Sequence, residues 1–523
     1  MEYDLIVKNG LIVSCIIQNY YTQTLTRVIK VTPTEVLSAG LEIGVKDGKI
    51  ACVGTLLQPG KNTRIIDAQG AYITPGGVDS HVHLEQPDGS PEGDTWESGT
   101  RAAIAGGTTT VLAFAMQRKK DPSLFPVVAD YHNKANGCSH CDYGFHVILT
   151  NPTDQIINEE LPVLVQQGIT SVKLYMTYEP FQLGDRAILD IMMAARRLGI
   201  TTMVHAENSD MIALITERLE QRGLTDPYYH AVSRPQIAEA EATYRAISLA
   251  ELIDVPILIV HVSSETAMAH IRNAQTRMLP IHGETCPHYA YLLSDTMKGK
   301  EQDVFEGAKH VCSPPLRHDP NDLTAIWDGI ANGTLSVLSS DHAPTKFDTP
   351  MGKKAGLVGG KFPMFSKIPN GLPGIETRSP LMFNGAVGYD PYISLPQFVQ
   401  ITSTNPAMLY GLAGVKGNIA PGYDADLVIW YPPKQHDRGV QISIANMHND
   451  TDYTPFEGMW IADWPRYTIL RGDIVWNRDG EGILGRKGQG RFVQRKPGSV
   501  LKGRCSHRSG PSMRVGEREL WRD

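Results

Sequence analysis

The chain has 523 residues, 41% of them hydrophobic and 20% charged, with a formal net charge of −7. This is the make-up of a globular protein with room for a large core and one auxiliary domain. The mild negative charge excludes the basic footprint of a nucleic-acid binder, and no apolar run approaches the roughly 18 residues that a membrane helix needs.

The opening stretch "MEYDLIVKNG" lacks a basic segment followed by an apolar one, so no secretory signal is expected. Seven scattered cysteines fit a reducing compartment, and the expected location is the cytoplasm. The close pair in "GCSHCDYG", Cys138 and Cys141, has no second pair after it and no thioredoxin-like context, so it reads as two ordinary thiols in a surface loop.

Near the N-terminus, "YDLIVKNGLIVSC" and "LEIGVKDGKIACVG" read as short antiparallel strands, with Asp47-Gly48 as a hairpin turn. Residues 16–40 are more than a tight hairpin needs, and no role for them follows from the residues. Between about residue 70 and residue 345, apolar β-branched runs alternate with helical patterns. The runs are "GGVDSHVH", "TTTVLAFA", "YGFHVILT", "ITSVKLYM", "TTMVHAEN", "VPILIVHVSS", "LPIHGETCPH" and "LSVLSSDHAP". Near-continuous apolar strands are those buried on both faces, as in a parallel sheet. "DTWESGTRAAIAGG", read with an Asp cap, "DRAILDIMMAARRLG" and "NDLTAIWDGIANG" carry helix start and stop signals. Eight such units predict an α/β fold, a (β/α)8 TIM-like barrel. After it, "GNIAPGYDADLVIWYPP" and "YTILRGDIVWNRDG" read as strands again. The expected architecture is a catalytic barrel over 67–415 with a small β-sandwich domain built from both chain ends, 1–66 and 416–484. A basic tail, 485–523, is expected to be partly disordered or to cross to another subunit. The Gly-rich loop "PTKFDTPMGKKAGLVGGKFPMF" reads as a lid or a disordered connection.

In such a barrel the chemistry sits at the C-terminal ends of the strands. The first run ends in His81 and His83, whose spacing of two puts both imidazoles on one face. The fifth ends in His205, the sixth in His261 and the eighth in Asp341. A lone strand-end histidine is more often a packing residue than a ligand. Four of them with a carboxylate at one barrel mouth suit Zn²⁺ or a related divalent ion. The residues alone leave His282, His288, His310 and His342 as further candidates. Lys173, in the middle of the fourth run, is harder to place, because burying an unpaired ammonium is costly. A neutral lysine amine reacts with CO₂ to give a carbamate that can bridge two metals. The plainer reading is a lysine that snorkels to solvent or pairs with a carboxylate.

The set "GGVDSHVHLEQP", "SVKLYMTY", "MVHAEN", "ILIVHVSS", "CSPPLR", "SSDHAP" and "NGLPGIE" resembles the dihydropyrimidinase and D-hydantoinase branch of the amidohydrolase superfamily, from about residue 3 to about residue 480. The resemblance implies a hydrolase that opens the cyclic amide of 5,6-dihydropyrimidines and 5-substituted hydantoins to N-carbamoyl amino acids. It implies two Zn²⁺ per chain, the more buried one held by His81, His83 and Asp341 and the second by His205 and His261. Carboxylated Lys173 and a hydroxide then bridge the pair. It implies that Tyr178 polarises the carbonyl under attack, that Asp341 carries the proton, and that Ser313 and Asn370 hold the ring amide through their backbone groups. A homotetramer is the implied assembly.

Three other readings compete. A dihydroorotase or an allantoinase shares much of the pattern, and a non-catalytic scaffold relative would lack several ligands that this chain retains. Enzymes that open dihydroorotate carry an arginine two residues after the HxH pair, where this chain has Glu85. A carboxylate there disfavours an anionic substrate. Leu84, Trp96, Pro180, Phe181 and Leu183 are the expected apolar wall for a neutral ring.

Overall fold

A computed structural model describes residues 2–13, 17–20, 28–31, 36–37, 40–86, 92–431 and 439–497. Eight strands follow one another round a single sheet: β1 (Gly77–Val82), β2 (Thr108–Met116), β3 (Asp142–Ile148), β4 (Ser171–Tyr175), β5 (Thr201–His205), β6 (Ile257–Ile259), β7 (Ile281–Thr285) and β8 (Leu335–Leu338). All neighbouring pairs are parallel. The ring closes where the His83 N–H donates to the His342 carbonyl at 2.7 Å. The expected barrel is therefore present, one strand for each apolar run.

The strands are apolar throughout because both faces are covered. Inward-facing Val78, Leu112, Phe114, Ile148, Met203, Leu258 and Val337 pack on one another and on Ala407, Leu409 and Tyr410. Outward-facing residues such as Val111, Phe145 and Val204 join the core beneath the surrounding helices. The Thr201 hydroxyl donates to the Leu409 carbonyl at 3.1 Å, so the 405–412 segment plugs the N-terminal end of the barrel. Only the opposite end is left open for chemistry.

The first helix, Trp96–Ala105, is capped by Thr95 in a reciprocal box with Ser98, and not by the expected Asp94. Asp94 instead accepts the Ser98 hydroxyl and faces His342 Nε2 at 3.1 Å. Gly199, at φ 67°, ends the Asp185–Leu198 helix in the left-handed conformation that glycine favours.

Both chain ends build two facing sheets. One has Lys49–Gly54, Glu42–Lys46, Leu5–Lys8 and Arg64–Asp67 as neighbours. The other runs Gly482–Ile483, Asp473–Asn477, Tyr467–Leu470, Leu427–Ile429, Tyr72–Pro75, Leu11–Val13 and Val36–Leu37. Leu5, Val7, Ile43, Val45, Ile73, Leu427 and Ile469 fill the space between them. Asp47 and Gly48, at φ 51° and 75°, make the two-residue turn between their strands. Tyr72–Pro75, on the barrel side of the expected limit at 67, pairs inside the second sheet. Within 16–40, Ile17–Tyr20 pairs with Val28–Val31 as a two-stranded ribbon.

The start of the basic tail lies on its own barrel. Tyr143 N–H donates to the Arg491 carbonyl and Val493 N–H to the Tyr143 carbonyl. Arg495 is buried, bonded to Ser171 Oγ at 2.9 Å and to the Phe145 carbonyl. The remainder of that tail, 498–523, falls outside the described residues. The Gly-rich loop is ordered rather than a loose connection. It holds a turn of 3₁₀ helix, Lys353–Gly356, and a short hairpin of Leu357–Val358 with Phe362–Pro363. No helix among the described residues is long and apolar enough to cross a membrane.

Candidate metal centre and active site

The open end of the barrel holds a cavity of about 370 Å³. His81, His83, Lys173, Tyr178, His205, His261, Ser313, Asp341 and Asn370 all line it. Every site residue expected from the sequence is thus brought to one place. His282, His288, His310 and His342 do not line it. His342 faces Asp94, and His310 Nε2 faces the Pro455 carbonyl at 3.3 Å.

The strand ends deliver these groups with local strain. Tyr178, His261, Asp341 and Glu85 have φ of 65°, 39°, 46° and 46°. Non-glycine residues rarely adopt such values, and the strain persists only where the surroundings impose it. At Tyr178 the imposition is visible: its carbonyl accepts both the Phe181 and Gln182 N–H groups, at 2.8 and 2.7 Å.

The donor spacing fits a metal. His81 Nε2 and His83 Nε2 lie 3.1 and 3.5 Å from Asp341 Oδ1. Atoms bound to one zinc at 2.0–2.1 Å with tetrahedral angles stand roughly 3.3 Å apart. Burial holds His81 and His261 well below the ordinary imidazole range, and it lowers His205 as well. Neutral imidazole is the form that ligates. His205 and His261 face each other with ring centroids 4.5 Å apart, beside the first group. The buried Nδ1 of His261 has no hydrogen-bond partner among the described residues. A second convergence, Cys286 and His288 with Asp341, also occurs. Burial pushes the Cys286 thiol well up, away from the thiolate that would ligate.

Lys173 is fully buried in β4, its nitrogen 3.2 Å from His81 Nε2 and 5.0 Å from the Phe114 ring centroid. It does not snorkel. Burial lowers it to about 8, with Asp341 and Glu284 opposing. The neutral amine is therefore accessible near physiological pH.

Two carboxylates outside the expected set orient the imidazoles. Glu284 on β7 faces His81 Nδ1 at 2.6 Å. Glu207 faces His205 Nε2 at 2.7 Å and accepts Arg234 Nη1 at 2.8 Å. Burial alone pushes Glu207 up, but Arg234 and His205 outweigh it and hold the carboxyl at about 2. Burial pushes Glu284 up to about 8 against the pull of Lys173. Their signal in the sequence is a carboxylate inside an apolar run, "HGET" and "HAEN".

Of the expected apolar wall, Phe181 lines the cavity and the other four residues do not. Leu84 and Trp96 are fully buried in the core, Trp96 edge-on to Tyr143 and Phe145. Pro180 and Leu183 do not line the cavity, whereas Met116, Tyr175, Phe181 and Met351 do. Glu85 lines it too, one carboxylate oxygen accepting the Trp96 N–H at 2.9 Å.

The amidohydrolase family pattern matches residues 72–475. The chain is 41% identical over 484 residues to the D-hydantoinase of Geobacillus stearothermophilus, covering 91% of this chain and 98% of that one. Against the D-phenylhydantoinase of Escherichia coli the identity is 36% over 455 residues, 87% of this chain and 94% of the relative. A crystal structure of D-hydantoinase matches with a TM-score of 0.83 at 39% identity, covering 94% of this chain and 99% of its own. The dihydropyrimidinase of Brevibacillus agri matches with a TM-score of 0.83 at 35% identity, covering 94% and 98%.

Proposed function

We propose that this chain, which belongs to the amidohydrolase family, hydrolyses the ring amide of 5,6-dihydropyrimidines and 5-substituted hydantoins to N-carbamoyl amino acids. One observation carries the reading: a single cavity joins four imidazoles, a buried lysine and an aspartate to Tyr178, Ser313 and Asn370. The relatives named above as hydantoinases and dihydropyrimidinases support it.

His81, His83 and Asp341 would hold one Zn²⁺, and His205 and His261 a second. Lys173, carboxylated, would bridge them: its amine nitrogen bonds to the carbon of CO₂ and releases a proton, leaving an anion with two oxygens. Two such cations supply hydroxide near neutral pH and polarise a carbonyl. The protein does the rest. The backbone at Ser313 and Asn370 orients the ring amide. The Tyr178 O–H donates to the carbonyl oxygen as it gains charge. Asp341 takes the proton released in the attack and delivers it to the ring nitrogen as the C–N bond breaks. The working assembly is a homotetramer in the cytoplasm, in keeping with the free thiols of Cys52, Cys138, Cys141, Cys286 and Cys312. The working domain limits are 1–66, 67–415 and 416–484, with Tyr72–Pro75 as the strand that ties barrel to sandwich.

The test is kcat/KM for dihydrouracil, dihydrothymine, a 5-substituted hydantoin, allantoin and dihydroorotate at one pH. Glu85 on the wall disfavours a carboxylate, so the neutral rings are expected to exceed dihydroorotate by about 100-fold or more. A preference for dihydroorotate would sink the charge argument. A preference for allantoin would move the assignment to a neighbouring branch, and no turnover with no bound metal would leave a scaffold. Glu284→Ala is expected to weaken metal affinity by about 10–100-fold, read by titration against a chelator. Unchanged affinity would mean that His81 is oriented by other groups.

A further inference from the structure

Lys353 is a buried cation that the reaction above leaves unused. It lies in the Gly-rich loop and is fully buried. Its Nζ donates to the carbonyls of Val311, Pro369 and Gly371 at 2.9, 2.7 and 2.7 Å. Three acceptors match three N–H donors, and only the ammonium has three. Burial pulls the group down to about 7. Three carbonyls aimed at one nitrogen pull the other way, since charge-assisted hydrogen bonds are the strong ones.

The three carbonyls belong to two short segments, each of which contributes a residue to the cavity wall. Residues 311–313 lead to Ser313, and residues 369–371 enclose Asn370; both of these line the cavity. The segments also meet directly, through the Gly371 N–H and the Val311 carbonyl at 3.1 Å. Gly371 sits at φ 117°, and a Cβ there would lie 2.3 Å from the Ala343 carbonyl oxygen, so this backbone path has no slack. Asn370 Nδ2 in turn donates to the Tyr178 hydroxyl at 3.3 Å. Two residues before Lys353, Met351 forms part of the cavity wall. The loop is pinned at other points too: Asp452 accepts the Phe347 and Asp348 N–H groups, and Phe365 N–H donates to the Thr225 carbonyl. A methionine would fill the same space without desolvating a charge. It would also take the donor away from three buried carbonyls, so the lysine ties its loop to both segments at once.

We propose that Lys353 is a positioning residue that fixes the spacing between the two backbone segments gripping the substrate ring and holds Met351 against the cavity. This rests on reading Ser313 and Asn370 as the ring-amide contacts. The test uses the full-length, metal-loaded protein and its Lys353→Met and Lys353→Gln variants, with dihydrouracil and a 5-substituted hydantoin as probes. Loss of the charge-assisted bonds is expected to raise KM by about 10–100-fold for Met, with Gln intermediate because its amide keeps two donors. Metal content should be unchanged, and kcat should fall less than KM rises. A variant with altered thermal stability but wild-type KM overturns the proposal and leaves Lys353 a structural residue. Should the Met variant not fold, the Gln variant decides by the same split. A wild-type protein that opens neither ring sinks the proposed function itself. An active wild type with an unchanged variant KM sinks only this inference.

Discussion

Lys173→Ala is expected to purify without its pair of metal ions and with less than about a thousandth of the wild-type kcat/KM, a loss of roughly 4 kcal/mol or more in transition-state stabilisation. The lysine is fully buried, and its amine's one hydrogen-bond contact among the described residues is His81 Nε2, at 3.2 Å. An amine that faces a neutral imidazole is poorly used as an amine. As a carbamate it becomes an anion reaching both groups of ligands, which offsets the positive charge they would gather. On that proposal alanine would take away both bridging oxygens at once, and the site would have no anion to offset two cations. Metal analysis of the purified variant and turnover with dihydrouracil check this directly. A short carboxylic acid added with zinc should restore a trace of activity by occupying the vacated space. An alanine variant with both metals and normal turnover would show the bridge to be wrong.

The barrel was legible because its strands are buried on both faces. "TTTVLAFA" has no polar alternation to confuse with an amphipathic strand, and β2 is buried at every position. Helix ends were less legible. Asp94 and Thr95 are both good cap residues, and only the bond from Ser98 N–H to Thr95 Oγ1 decides between them. Once Thr95 takes the cap, Asp94 is released to face His342. The basic tail was read by charge alone. Charge does not reveal that Arg495 satisfies its guanidinium on Ser171 and the Phe145 carbonyl beneath the barrel.

The site shows the same division. Strand-end position gave the line-up of His81, His83, His205, His261 and Asp341, because a parallel barrel sends all its strand ends to one mouth. Their partners Glu284 and Glu207 were not read, although each stands in an apolar run where a buried carboxyl group needs a reason. The pocket wall was misread for a geometric cause. Leu84 follows His83 by one residue and so points to the opposite side, into the packing beneath the Trp96–Ala105 helix, where the Leu84 side chain lies against Gly99. Met116 and Met351 come from the end of β2 and from the Gly-rich loop, and no local pattern ties either to the cavity.

Tyr178→Phe is the second large expected effect, a fall in kcat of about 10²–10³, or roughly 2.7–4 kcal/mol, with metal content intact. The ring is held by its surroundings: Arg234 lies 5.2 Å from its centroid, and Asn370 Nδ2 donates to its hydroxyl at 3.3 Å. A hydroxyl that accepts from Asn370 has its own proton free to donate into the cavity. Burial raises its pKa to about 12, with the Arg234 charge opposing, so the proton stays on oxygen throughout the physiological range. Phenylalanine keeps the ring, its packing on Tyr175 and His205, and the strained backbone, and deletes only that donor. KM should therefore change little if the donor acts on charge that develops after binding. The pH profile of the residual activity should keep its wild-type shape between pH 6 and pH 9, because a group titrating near 12 contributes no limb there. A large rise in KM with kcat preserved would make Tyr178 a binding residue, and an unchanged kcat would leave it as part of the cavity wall.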